Sequence, residues 1–318
     1  MSFPTIDTIR AAAARIAPYV HRTPVVRSHT FDNETGAHVF FKCENQQKIG
    51  AFKARGAVNA VLSLPESVAG RGVITHSSGN HGAALAYAAT IRGIPCTVVM
   101  PDDTPAIKAN AVRGYGADVV VCRRPERQSV CETLQAELGS VLIHPFEHPD
   151  VIAGQATVAL ELLDQVEALD LVIAPVGGGG LLAGTSLTVS ALHAHGRVIG
   201  AEPETVDDAY RSLQSGVLQP SVIDPKTVGD GLMTGLGAIN FEILQRGNVS
   251  VTTVSEIAIV DAARFVLERM KIVIEPSAAT VVAALRLLSP QLRGLRVGAI
   301  FSGGNTDFRW LCPEAGKR

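Results

Sequence analysis

The sequence predicts an α/β protein with mostly parallel sheets and helices packed on their faces. Three observations predict it. Apolar strand-like runs alternate with alanine-rich helical stretches, the runs are continuous rather than alternating, and glycines follow several of them. A continuous run marks a strand covered on both faces, the signature of a parallel sheet flanked by helices. Glycine after a strand suits a tight βα turn. At 318 residues the chain can form two domains or one large α/β unit and bury a substantial core.

In chain order, an alanine-rich helix carrying Asp7, Arg10 and Arg15 comes first. It lacks the charged start, apolar middle and cleavage site of a secretory signal. Strands are expected at Val39-Phe40-Phe41, Gly72-Val73-Ile74-Thr75, Cys96-Thr97-Val98-Val99-Met100 and Asp118-Val119-Val120-Val121. Others follow at Leu171-Val172-Ile173-Ala174, Val198-Ile199-Gly200-Ala201 and Val297-Gly298-Ala299-Ile300-Phe301. A proline-bearing connection, His144-Pro145-Phe146-Glu147-His148-Pro149, reads as a break between two α/β blocks. The stretch 203–237 is rich in Pro, Gly and Asp and reads as a long ordered loop, a class that is usually functional.

With 47% hydrophobic and 18% charged residues, the composition suits a soluble globular enzyme rather than a disordered chain. A net charge of -2 creates no field toward nucleic acid or anionic lipid. No apolar stretch is long enough to span a bilayer. Cys43, Cys96, Cys122, Cys131 and Cys312 are scattered without zinc-finger spacing and read as reduced thiols, which suit the cytoplasmic location that is expected.

The most informative residue is Lys53, alone among small and apolar neighbours in Gly50-Ala51-Phe52-Lys53-Ala54-Arg55-Gly56-Ala57. An amine in dry surroundings loses its preference for the charged form and becomes a nucleophile and base near neutral pH. Taken alone, it reads first as a snorkelling lysine at a helix start. Three turns weigh against that. Thr75-His76-Ser77-Ser78-Gly79-Asn80-His81-Gly82 opens a helix and can bind a carboxylate or a ring hydroxyl, or simply cap the helix. Val176-Gly177-Gly178-Gly179-Gly180-Leu181-Leu182 lets the backbone approach an anion, and four glycines favour a phosphate cradle over plain turn chemistry. Phe301-Ser302-Gly303-Gly304-Asn305 follows the last strand and alone reads as a simple C-terminal turn, although Ser302 can offer a hydroxyl to a heteroaromatic nitrogen.

The second turn also satisfies a competing pattern. Gly178-x-Gly180-x-x-Ala183, with Glu202 about twenty residues on, matches the dinucleotide fingerprint of NAD-dependent dehydrogenases. That reading explains neither Lys53 nor the first turn.

Together these segments, with Ala153-Gly154-Gln155 and Ile274-Glu275-Pro276-Ser277-Ala278, resemble the fold type II pyridoxal-phosphate enzymes. The resemblance is strongest to the serine racemase and serine/threonine dehydratase branch, and it runs over nearly the whole chain. It implies a tryptophan synthase β-like fold of two three-layer αβα domains, with 1–71 plus 149–318 as a large cofactor domain and 72–148 as a small mobile one. It also implies that Lys53 forms the Schiff base with pyridoxal 5'-phosphate beside Phe52. Gly177, Gly178, Gly179 and Gly180 would cradle the phosphate, Asn80 the ring hydroxyl and Ser302 the ring nitrogen. Ser77, Asn80 and His81 would meet the substrate carboxylate.

A serine at the ring nitrogen leaves a weak electron sink, which favours β-elimination over transamination. The implied activity is α,β-elimination from a β-hydroxy-α-amino acid to a 2-oxo acid and ammonia, with a serine-type racemase as the alternative. In the racemase-like branch the residue at Ser78 faces the cofactor opposite the lysine and can reprotonate Cα. The same branch binds a divalent cation, Mg²⁺ or else Ca²⁺ or Mn²⁺, at the positions of Glu202, Asp208 and the Val206 carbonyl. Two carboxylates and a carbonyl are hard oxygen ligands that suit it. A homodimer is expected from the relatives. The chain ends soon after Asn305, so no C-terminal regulatory domain is expected. In the loop 229–237, Leu232, Met233 and Leu236 offer no cation, which tilts the substrate from 3-hydroxyaspartate toward serine, threonine or 3-phenylserine. Arg127 leaves the dicarboxylate open.

Overall fold

A computed structural model describes residues 3–77, 79–104 and 106–311. Ten strands run along them: β1 (Val25–Val26), β2 (His38–Cys43), β3 (Val73–His76), β4 (Cys96–Pro101), β5 (Asp118–Cys122), β6 (Val141–Leu142), β7 (Leu171–Pro175), β8 (Arg197–Pro203), β9 (Ser250–Val254) and β10 (Arg296–Phe301). They form two sheets, one in the order β1-β2-β10-β7-β8-β9 and one in the order β5-β4-β3-β6. Every pairing is parallel except β1 with β2. The α/β architecture with parallel sheets is therefore as the sequence predicts. All seven expected strands are present. β1, β6 and β9 are additional: two are only two residues long, and β9 is an edge strand whose polar threonines interrupt the apolar run.

Buried aliphatic and alanine side chains cover both faces of each sheet. One cluster joins Phe31, Phe41 and Phe301 to the helices Glu256–Phe265 and Pro276–Leu287. Another packs the helix Pro149–Gln165 and the helix Gly180–Leu192 on the opposite face of the large sheet. Gly154 allows the helix Lys53–Ser63 to cross closely, because a Cβ there would stand 2.5 Å from the Arg55 carbonyl oxygen. That close crossing accounts for the Ala153-Gly154-Gln155 signature.

A buried charge quartet fixes the start of the same helix. Arg55 donates to both oxygens of Glu44 (2.7 and 2.8 Å) and to both of Glu161 (2.8 and 2.9 Å). Lys42 adds bonds to Glu161, Gln165 and the Thr23 carbonyl. Two cations face two carboxylates with their donors satisfied, the condition under which buried charge is tolerated. The backbone two residues before Arg55 is where Lys53 sits.

Candidate functional site

Three turns follow the carboxyl ends of parallel strands β3, β7 and β10, where ligands bind in open α/β sheets. Phe52, Lys53, Ser77, Asn80, His81, Gly177, Gly178, Gly179, Gly180 and Ser302, separated widely in the sequence, line one cavity of about 520 Å³. A larger cavity of about 720 Å³ shares Gly79, Asn80, Lys108 and Asp230 with it but has neither the lysine nor the glycine turn. Ser78 lies outside the described residues.

Lys53 is the first residue of its helix. The Phe52 amide donates to the Ser302 carbonyl at 3.0 Å and Ala51 bridges Gly303, which ties the lysine to the third turn. Burial pushes the amine down to about 8, opposed by Glu275, and the positive helix end works in the same direction as burial. Its Nζ donates to the Pro145 carbonyl at 2.8 Å and lies 5.2 Å from the Phe52 ring centre.

The glycine turn is wholly buried. A Cβ on Gly178 would overlap the Phe146 ring, one on Gly177 would stand 2.9 Å from the Leu232 backbone, and Gly179 has φ +88. None of the amides from Gly177 to Leu182 donates to a protein acceptor among the described residues. Six unpartnered amides at a buried helix start are costly without an anion to receive them. The Ser302 hydroxyl also makes no hydrogen bond among the described residues, although the residue is only 4% exposed.

In the first turn, the helix Asn80–Arg92 likewise starts without a side-chain cap. Ser77 Oγ accepts from the Gly79 amide at 3.3 Å. His81 is buried; its Nε2 lies 3.0 Å from the Ile143 carbonyl and its Nδ1 is unpartnered among the described residues. Burial first, then Lys53, holds its pKa well below the usual value, so the ring is neutral. The Asn80 amide donates to both Glu275 oxygens at 3.1 Å and its carbonyl accepts from Asn305 at 2.8 Å.

Glu275 is a site residue to which sequence reasoning gave no role. It is buried and raised to about 7, chiefly by desolvation. The only signal was a carboxylate set before a proline in an otherwise apolar segment. In the sequence the 144–147 turn looks like no more than a break between two blocks, yet its residues line the cavity.

Glu202, Val206 and Asp208 are not among the lining residues. Glu202 accepts from the Ala209 and Tyr210 amides at 3.1 and 2.9 Å, and Asp208 accepts from the Leu236 amide at 2.7 Å. Burial raises both, Glu202 to about 8, and each stands near other carboxylates. Among the described residues no cluster of three or more His, Cys, Asp or Glu side chains is gathered. Glu202 does not line the cavity that holds the glycine turn, so it is not placed to hold a ribose as the dinucleotide reading requires.

Of the apolar residues in the 229–237 loop, Leu232 and Met233 line the cavity as expected, while Leu236 is in the core against Gly179; the Leu232 backbone also packs on Gly177. Arg127 lines the cavity and makes no ion pair among the described residues; burial lowers its pKa. No described helix is long and apolar enough to cross a membrane. Cys43, Cys96, Cys122 and Cys131 are free, and Cys312 lies outside the described residues.

The chain is 46% identical over 314 residues to a serine racemase of Dictyostelium discoideum, covering 96% of each protein. A solved serine racemase from that organism superposes with a TM-score of 0.91, covering 96% of this chain and 99% of the other at 47% identity. A beta-hydroxyaspartate dehydratase of Paracoccus denitrificans is 46% identical over 311 residues, covering 96% and 98%. A solved maize serine racemase gives a TM-score of 0.93 at 41% identity, covering 99% and 98%. The family model for pyridoxal-phosphate dependent enzymes matches residues 16–303. The chain therefore belongs to the pyridoxal-phosphate dependent enzymes and has their fold type II architecture.

Proposed function

We propose that the chain is a dehydratase (ammonia-lyase) that turns a β-hydroxy-α-amino acid into a 2-oxo acid and ammonia. One observation carries the reading: an amine lowered to about 8 shares a cavity with the turn Gly177 to Leu181, whose buried amides have no protein acceptor among the described residues. The residues present fit pyridoxal phosphate. Lys53 would anchor its aldehyde, the Gly177 to Leu182 amides its phosphate and Ser302 its ring nitrogen. Phe52 and Asn80 would flank the ring. Bound there, the cofactor supplies the electron sink that acidifies the proton on the substrate Cα.

The chain's own groups do the rest. The start of the helix Asn80–Arg92, with Ser77 and His81, orients the substrate carboxylate through backbone amides and the helix dipole. A neutral His81 serves this as a shape and not as a charge. The Lys53 amine removes the Cα proton, and the resulting ammonium returns a proton to the departing β-hydroxyl. Loss of that water leaves a product enamine, whose imine tautomer takes up one water and hydrolyses to the 2-oxo acid and ammonia, so the net loss is ammonia alone. Lys53→Ala should abolish both bound-cofactor absorbance and turnover.

Within this class a 3-hydroxyaspartate-type substrate has the most support. Arg127 is a cavity-facing cation without an ion-pair partner among the described residues, Leu236 supports the cradle from the core, and the Paracoccus relative is named for that substrate. Comparing kcat/KM on serine, threonine, 3-phenylserine and 3-hydroxyaspartate tests it; equal or better turnover of 3-phenylserine would refute it. A racemase reading is favoured by the Dictyostelium relative. In it Ser78 would supply the second proton, and loss of optical rotation without 2-oxo acid release would mark it.

The same proposal includes a divalent cation on Glu202, Asp208 and the Val206 carbonyl. Once deprotonated, these two buried carboxylates are met only by amide donors, and Mg²⁺ or Ca²⁺ would offset their charge. It also includes a homodimer, checked by sedimentation, and movement of 72–148 against 1–71 plus 149–318.

A further inference from the structure

The turn between β6 and the helix Pro149–Gln165 touches the site through consecutive residues. The Pro145 carbonyl accepts from Lys53 Nζ at 2.8 Å. The Phe146 ring occupies the space a side chain at Gly178 would need, and its carbonyl accepts from Asn240 Nδ2 at 3.1 Å. Glu147 Oε1 accepts from the Ala238 amide at 2.5 Å. His144 gives this turn its shape. Its Nδ1 accepts from the Glu147 amide at 3.0 Å and from the Phe146 amide at 3.4 Å. A ring nitrogen that accepts amide protons carries none itself, so the single proton is on Nε2. The ring is boxed edge-on by Phe146 at 4.6 Å and His76 at 5.7 Å between centres. Burial, His76 on β3, Lys53 and His148 push His144 down to about 4, and the imidazole stays a neutral cap at working pH.

We propose that His144 is a positioning residue: by capping the Phe146 and Glu147 amides it holds the Pro145 carbonyl as the resting point of the Lys53 amine whenever that amine is not covalently engaged. The inference rests on the reading of Lys53 as anchor and base. A peptide carbonyl suits the task because it accepts from the amine in either charge state, and the bond aims the nitrogen. The titratable groups facing the amine are Glu275 before the helix Pro276–Leu287, His81 on the helix Asn80–Arg92, and His144 itself. Of these only Glu275 favours the ammonium. Without the carbonyl the amine loses an acceptor that also favours its charged form.

The test strips the cofactor and measures, against pH, the rate at which pyridoxal phosphate is covalently captured, a readout that needs no substrate. The parent protein should show a midpoint near the amine value of about 8. An asparagine oxygen can take the place of Nδ1, while a glutamine amide takes that of Nε2. His144→Leu and His144→Gln should lower the midpoint by about one pH unit and turnover by about tenfold. His144→Asn should restore both most of the way. A parent-like midpoint and turnover in His144→Leu, or rescue by Gln instead of Asn, overturns the inference. If the Leu variant does not fold, the Asn and Gln pair decides alone. Capture that survives Lys53→Ala refutes the parent reading, a result distinct from every His144 outcome.

Discussion

Two turns of this molecule share a plan and differ in surroundings. After β7 and after β3 the chain enters a thirteen-residue helix with no side-chain cap, so both starts present amides and a positive dipole end. The turn at 177–180 is wholly buried and packed by Phe146, Leu232, Leu236 and Asn240. In the other turn Gly79 and Asn80 are partly open, Gly79 is bordered by Lys108, and Lys108 pairs with Asp230 on the cavity lining. Under the proposed function, the first arrangement would hold an anion that stays and the second one that comes and goes. The cofactor phosphate and the substrate carboxylate differ in just this way.

The comparison breaks most sharply by substitution at its glycines. Gly178→Val drives a side chain into the Phe146 ring, and cofactor affinity should fall by at least about 100-fold, read by the absorbance of the bound chromophore. Gly79→Ala meets only Lys108, at 3.8 Å, on an extended backbone of φ -165. It should retain the cofactor and raise KM by roughly tenfold or less. Equal loss of cofactor in both variants would erase the distinction.

Of intermediate size is the link between the turns. Glu275 holds Asn80 and opposes the lowering of Lys53 by burial. The base must be unprotonated to act, so turnover should rise with pH through about 8. Glu275→Gln removes the negative charge, lowers the amine further and should move that rise down by about half a unit or more. An upward movement of the limb would contradict this account.

Much of this was readable in the sequence. Lys53 stood out because an isolated amine among small residues has few structural uses, and four glycines exceed what a turn needs. Strands buried on both faces announced themselves as unbroken apolar runs. β9 did not, since an edge strand carries polar residues on its open side. Glu275 acquires its meaning from Asn80, 195 residues away, and Asn80 is also held by Asn305, 225 residues away. Contacts of that range leave no local pattern. The inward turn of Leu236 was hidden for the same reason, because apolar residues in a loop look alike whether they line a pocket or support its wall.

The smallest expected effect concerns the carboxylates outside the cavity. Glu202 is raised from 4.5 to about 8 in the folded state, so the folded protein binds its proton more firmly than the unfolded chain. Its contribution to stability is complete below about 4.5 and is lost as pH rises toward 8. Saturating Mg²⁺ or Ca²⁺ should offset that loss, raising Tm by on the order of 5 °C at pH 8 and less at pH 5. A shift that is absent, or larger at pH 5, would remove the cation from this account.

The most direct measurement is borohydride reduction of the holoenzyme followed by peptide mapping. A single pyridoxyl adduct on Lys53, absent from Lys53→Ala, is the predicted result. An adduct on a different lysine, or a reduced protein with no adduct, would contradict it.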